Sequence, residues 1–221
     1  MKKILYAFVF IFKNGIHRFV RKYYYKFSDA YYEKYFNVST KGFVSKEVLG
    51  LKHHESTDYS PVHYKHIFKM LKKLPVDKNK STLIDYGCGK GRAIITAAAF
   101  QFKKIIGVEI SYLIDVAKNN IDKEKHRKTF DIELKQCNAK DYILPAEVNI
   151  IYFFNPFRGS ILENVTRNIY SSVKDTPRII YIIFFNNDHF DGVIANQDWL
   201  TKIEQLEFYF NISCGLYATN L

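Results

Sequence analysis

The stretch Leu83-Ile84-Asp85-Tyr86-Gly87-Cys88-Gly89-Lys90-Gly91-Arg92 constrains the fold more than any other part of the chain. A short apolar run breaks into alternating glycines and passes into Ala93-Ile94-Ile95-Thr96-Ala97-Ala98-Ala99, the pattern of a buried strand, a tight turn and a helix N-terminus. Gly87, Gly89 and Gly91 lack the Cβ atoms that would hold a ligand away from the backbone, and the first helical turn offers unpaired N–H groups. A nucleotide-like cofactor is the guest such a loop accepts.

Spacing narrows the choice of nucleotide. A dinucleotide fingerprint needs Gly or Ala at the position held by Arg92, so NAD and FAD are disfavoured. A P-loop also fails, because Gly87 is not followed by four residues and Gly-Lys-Ser/Thr. What remains is a G-x-G-x-G loop preceded by Asp85, with a second apolar run, Lys104-Ile105-Ile106-Gly107-Val108-Glu109, that ends in a carboxylate. Glu109 lies about 20 residues beyond the glycines, where a carboxylate accepts from both hydroxyls of a ribose. A mere strand–helix turn would leave Glu109 unexplained.

At these residues the chain resembles the class I S-adenosylmethionine-dependent methyltransferases. The resemblance implies S-adenosylmethionine as cofactor. Asp85, Gly87, Cys88, Gly89, Gly91 and Arg92 would lie in or beside the loop around its methionine part, and Glu109 would hold the ribose. After the third apolar strand, Cys137-Asn138-Ala139 stands where the family has an acid-plus-Ala pair for the adenine amine. Asn138 offers an uncharged acceptor there, and Asp141 is the substitute from the next turn. The chain is also similar to a group of bacterial methyltransferases of unassigned substrate, and distantly in layout to the non-SET histone-lysine methyltransferases. The shared elements are Thr40-x-Gly42, Tyr59-x-Pro61 and Lys90-Gly91-Arg92. In some relatives a Tyr ahead of the helix before the first strand closes over the cofactor, the place of Tyr59; ordinary packing is the competing reading.

The fourth apolar run, Val148–Phe154, ends in Asn155-Pro156-Phe157. Ligands of open α/β sheets gather at the carboxyl ends of strands, so this tripeptide should face the transferred methyl group. It resembles the Asn/Asp-Pro-Pro-Tyr/Phe motif of amino-group methyltransferases, in which the Asn side chain and a backbone carbonyl orient the target nitrogen by hydrogen bonds. One proline is missing, which leaves an oxygen nucleophile open; a strand-ending turn is the structural alternative. Asn186 ends the next strand beside this point, and His189 is a candidate base on the following loop, where a lone His is more often merely solvated.

The order of patterns gives an α/β fold: a seven-stranded Rossmann-like methyltransferase sheet with helices on both faces and an antiparallel last strand pair. Strands are expected at about 82–86, 104–109, 130–136, 148–154, 177–185, 200–210 and 212–219, and helices at about 91–102, 111–126 and 159–173. Residues 1–36 read as a basic amphipathic helical extension, interrupted near Gly15, and residues 37–221 as the methyltransferase domain. Ile4–Phe12 is too short to span a bilayer and lacks a cleavage site after it. The extension suits an anionic membrane interface, or packing on its own domain or a second subunit.

The formal charge of +11 fits an anionic partner, whether nucleic acid, acidic membrane or phosphorylated glycan, and fits equally a Lys-rich proteome. Nucleic acid is the less favoured partner. Three cysteines without CxxC spacing read as reduced thiols in a cytoplasmic protein, peripheral at the inner membrane face if the extension binds lipid. The expected activity is methyl transfer, without a metal, to a nitrogen or oxygen of an unidentified acceptor: a protein, an envelope glycan or lipid intermediate, or a small molecule. The alternative is a non-catalytic or nucleic-acid-binding protein that keeps the fold.

Overall fold

The structure, a computed structural model, describes residues 15–51 and 55–220. Its centre is one sheet of order β3-β2-β1-β4-β5-β7-β6. The strands are β1 (Thr82–Tyr86), β2 (Lys104–Glu109), β3 (Ile132–Gln136), β4 (Val148–Phe154), β5 (Tyr181–Phe185), β6 (Leu200–Phe208) and β7 (Ile212–Thr219). The first five run parallel, and β7 pairs antiparallel with both β5 and β6. The strand order reverses between β1 and β4, which places a crevice at their carboxyl ends. β1, with all five residues buried, and β4, almost wholly buried, are continuous apolar runs because helices cover both sheet faces.

One face carries α1 (Ile16–Phe36), α2 (Tyr64–Lys73) and α3 (Arg92–Ala98), which share an apolar cluster with Leu83, Ile150, Tyr152 and Phe185. The other is covered by α5 (Gly159–Asp175) and α6 (Asp188–Ile194), packed on Ile84, Ile151, Phe153 and Phe184. Between β2 and β3 lies α4 (Leu113–Lys123). Gly15, at φ 79°, precedes α1, and Asn37, left-handed at φ 60°, stops it. The apolar run before Gly15 lies outside the described residues.

Three expected boundaries shift. α3 stops at Ala98 and does not reach residue 102: Lys128 and Thr129 donate their N–H groups to the Ala98 carbonyl, and Gln101 turns left-handed at φ 60°. β5 starts at Tyr181 because the stretch before it is anchored by Arg178, whose guanidinium caps the carbonyls of Val148, Ser172 and Thr176. Residues 188–194, expected as a loop, form α6, held by the buried Asn187, which donates to the Tyr217 hydroxyl and the Asp191 carboxylate. The edge strand β6 is largely solvent-facing and bears Lys202, Glu204 and Glu207, which discourages further strand pairing.

Candidate active site

A cavity of about 300 Å³ opens at the carboxyl ends of β1, β2 and β4, and runs from Glu109 and Ala139 at one end to Pro156 and Phe157 at the other. The glycine loop is hooked to β2, since the N–H groups of Gly87 and Cys88 both donate to the Val108 carbonyl, at 2.8 and 3.0 Å. Its glycines make room first for protein. A Cβ on Gly87, at φ 74°, would stand 2.4 Å from the Cβ of Pro156, and one on Gly89 would stand 2.4 Å from the ring of Tyr59. Gly91, at φ 84°, begins α3 against Ala117. Removing three Cβ atoms thus lets the loop, the Tyr59 segment and the Asn155 turn converge on one point.

Glu109 is buried and largely engaged. One carboxylate oxygen accepts from the Gly89 N–H at 2.9 Å; the other accepts from the Ser111 N–H and hydroxyl at 2.9 and 2.8 Å. A carboxylate has about four acceptor positions, so capacity for a hydroxyl donor is left. Asp85 lines the cavity with no protein donor on its carboxyl among the described residues. Burial, and then the charge of Glu109, push its pKa well above the ordinary carboxylate range. Beside it in register on β4, Tyr152 also lines the cavity, and its buried hydroxyl has no partner among the described residues. A carboxylate without a cation and a hydroxyl without a partner suit the ammonium and carboxylate of an amino acid, so the donor set fits S-adenosylmethionine. Tyr152 was not evident in the sequence, because only the β1–β4 register places it beside Asp85.

Asn138 and Ala139 line the Glu109 end of the cavity; the Asn138 side-chain oxygen accepts from the Lys140 N–H at 3.2 Å and caps a short 3-10 turn, Ala139–Asp141. Asp141 points to solvent and does not line the cavity.

At the other end, Asn155 is left-handed at φ 40°. Its side-chain oxygen is buried without a partner among the described residues, while Pro156 and Phe157 line the cavity and Asn155 itself does not. The adjoining carbonyls are taken: the Thr57 hydroxyl lies 2.7 Å from the Asn155 oxygen and 3.1 Å from that of Pro156, and the Thr57 N–H donates to Pro156. Glu55 continues this seam by capping α5, accepting from the N–H groups of Ser160 and Ile161. Asn186 lies outside the cavity, its N–H bonded to the Ser213 carbonyl. His189 sits exposed on α6 in a separate hollow beside Arg167, solvated and away from the Asn155 turn.

Arg92, the first residue of α3, lines the cavity, yet its guanidinium is committed. It pairs with Glu33 at 3.2 Å and Asp29 at 3.3 Å from α1, donates to the Thr40 hydroxyl and the Val62 carbonyl, and lies over the Tyr64 ring. Thr40 in turn accepts the Tyr59 hydroxyl at its carbonyl, and Lys90 donates to the Lys41 carbonyl. Thr40-x-Gly42, Tyr59-x-Pro61 and Lys90-Gly91-Arg92, far apart in sequence, are therefore one assembly at the cavity wall.

A family model described as ribosomal protein L11 methyltransferase (PrmA) matches residues 53–199. The chain is 27% identical over 123 residues to magnesium-protoporphyrin O-methyltransferase of Rhodobacter capsulatus, a match covering 52% of this chain and 54% of that protein. It thus spans about half the length of the curated relative it matches. Among solved structures, the ribosomal protein L11 methylase of Lactobacillus delbrueckii subsp. bulgaricus superimposes with a TM-score of 0.53 at 15% identity, over 70% of this chain and 77% of that one. An RNA methyltransferase of Salinibacter ruber, in complex with S-adenosyl-L-homocysteine, superimposes with a TM-score of 0.51 at 18% identity, over 72% and 92%. At such identities the superpositions speak for the fold. The family model covers about two-thirds of the sequence and takes in the glycine loop, Glu109 and the Asn155 turn, and on that match the chain belongs to the ribosomal protein L11 methyltransferase (PrmA) family, one of S-adenosylmethionine-dependent methyltransferases.

Proposed function

We propose that this protein transfers a methyl group from S-adenosylmethionine to a nitrogen or oxygen nucleophile presented at the Asn155 turn. The observation that carries this reading is the single cavity joining Asp85 and Glu109 to Pro156 and Phe157. When bound, the cofactor supplies an electrophilic methyl on a sulfonium. The chain's part is positioning: Asp85 and Tyr152 receive the amino-acid end, Glu109 the ribose, Asn138 and Ala139 the adenine, and Pro156 and Phe157 wall the acceptor side. The Asn155 side-chain oxygen is buried next to the lining residues Pro156 and Phe157, with no partner among the described residues. It does not line the cavity, so it meets a nucleophile only when the turn shifts to bring it in.

The relatives' names refer to a ribosomal protein, RNA and a porphyrin, so they do not converge on one acceptor. A non-catalytic role is disfavoured by unengaged groups of the cavity wall: among the described residues the Asp85 carboxyl has no protein donor and the Tyr152 hydroxyl no partner.

Thermal unfolding with S-adenosylmethionine, S-adenosylhomocysteine, NAD and ATP tests the cofactor. Ligand at about 100 times its dissociation constant adds roughly 2.7 kcal/mol, a rise of about 5–10 °C for a chain of this size. A shift with the first two alone is expected; none with any would remove the reading. Asn155→Ala is expected to keep that shift while losing methyl transfer to acceptors in cell extract, and full transfer by the variant would dismiss the role of Asn155.

A further inference from the structure

The helix α1 has two faces of opposite character. Inward, Tyr25 stacks on His63 and Tyr209, Tyr32 meets Tyr64 and Phe68, and both acids of the helix, Asp29 and Glu33, turn to Arg92. Outward, Ile16, Val20, Tyr24, Phe27, Tyr31 and Tyr35 recur every three or four residues and are 42–69% exposed. Side chains at that spacing lie on one stripe, here about 30 Å long over 21 residues. A run of large apolar side chains this long is more than the scattered exposed residues of an ordinary surface.

The charges decide what covers it. With Asp29 and Glu33 drawn inward, every exposed ionised side chain along α1 is a cation: Arg18, Arg21, Lys26 and Lys34. A second copy of the helix packed about a twofold axis would set these cations against their own copies, which is unfavourable. A nucleic acid would meet the cations and leave Ile16, Val20 and Phe27 wet. An anionic lipid surface satisfies both features: the apolar stripe enters the boundary between headgroups and acyl chains, and Lys and Arg remain among the phosphates. The sequence just ahead of α1 has the same character, Lys2-Lys3 followed by Ile4-Leu5-Tyr6-Ala7-Phe8-Val9-Phe10-Ile11-Phe12. No helix among the described residues is long and apolar enough to cross a membrane, so the contact is interfacial.

We propose that the outer face of α1 docks the protein on an anionic membrane surface, through the stripe Ile16–Tyr35 and the cations Arg21, Lys26 and Lys34 beside it. The proposal stands independently of methyl transfer, since no residue of the stripe lines the cavity. Binding at this face leaves the Arg92 assembly in place, because the two use opposite sides of the helix.

The test is co-sedimentation of the full chain with vesicles of phosphatidylcholine alone and of phosphatidylcholine mixed with phosphatidylglycerol. The chain should pellet with the mixed vesicles, and the bound fraction should fall as salt rises. The double substitution Val20→Glu and Phe27→Glu should weaken binding at least about tenfold with an unchanged unfolding midpoint, since both side chains face solvent. Arg21→Gln with Lys26→Gln should remove the preference for the anionic vesicles. A wild-type chain that stays in the supernatant overturns the proposal, as does a stripe variant that pellets like the wild type. So does a dimer in the absence of vesicles that Phe27→Glu splits, or RNA that binds at vesicle-free salt and competes for the same cations with the stripe variant unaffected.

Discussion

A carboxyl group buried beside another carboxylate, as Asp85 is beside Glu109, binds its proton more tightly than an aspartate in the unfolded chain. Its stabilising protonated form is lost as pH rises from the ordinary aspartate range through the raised value, so at neutral pH the group weighs against folding. Asp85→Asn is therefore expected to raise the unfolding midpoint of the ligand-free protein by a few degrees while weakening S-adenosylhomocysteine binding, measured by calorimetry. A drop in both would mean that Asp85 is structural. Tyr152→Phe should weaken S-adenosylhomocysteine yet leave methylthioadenosine, which lacks the amino-acid end, bound as before; equal effects on the two would move Tyr152 away from that end. Glu109 and the glycines were legible from spacing alone, because a strand-end acid beyond a glycine loop has few other uses. Tyr152 was hidden in an apolar strand, and the committed state of Arg92 was hidden because its partners lie 59 and 63 residues upstream.

At the scale of elements, α1 and α3 are held together by an ion cluster that is almost fully buried on the Arg92 and Glu33 sides. Removing one partner of such a cluster leaves the others charged in a dry site, at a cost of about 3–5 kcal/mol. Arg92→Met is expected to lower the midpoint by about 10 °C. Adding Asp29→Asn and Glu33→Gln should recover much of the loss; a lack of recovery would mean that packing on Tyr64, not charge, is what Arg92 supplies. The parallel strands were legible to within a residue or two at β1, β2 and β4, whose apolar runs have sharp ends. Less so were α6, seven residues containing Gly192 with no helical period, and the start of β5, where Arg178 replaces ladder bonds by side-chain ones.

Across the whole molecule two buried groups pull in opposite directions on acidification: Asp85 gains stability as it takes up its proton, and His66 loses it. His66 is buried between Tyr25 and Phe208 with neither ring nitrogen bonded, and burial, reinforced by His63, lowers its pKa to about 4. Between that value and about 6.5 the unfolded chain binds a proton that the folded one does not, so stability falls on acidification, by roughly 3 kcal/mol across the window. In an Asp85→Asn background, unfolding midpoints measured from pH 7 to pH 4 should decline, and adding His66→Phe should flatten the decline; an unchanged slope would assign it to other groups.

Time along the growing chain gives the Arg92 cluster one more consequence. Asp29 and Glu33 are made 63 and 59 residues before the cation they face, a delay of roughly 3–12 seconds at ordinary rates of synthesis. Through the first half of that interval, until His63, Tyr64 and Phe68 have been made, the inner side of the helix has nothing to close on, whereas its outer stripe is already whole. The order of translation thus favours capture of the nascent helix at a surface before the catalytic body has assembled behind it.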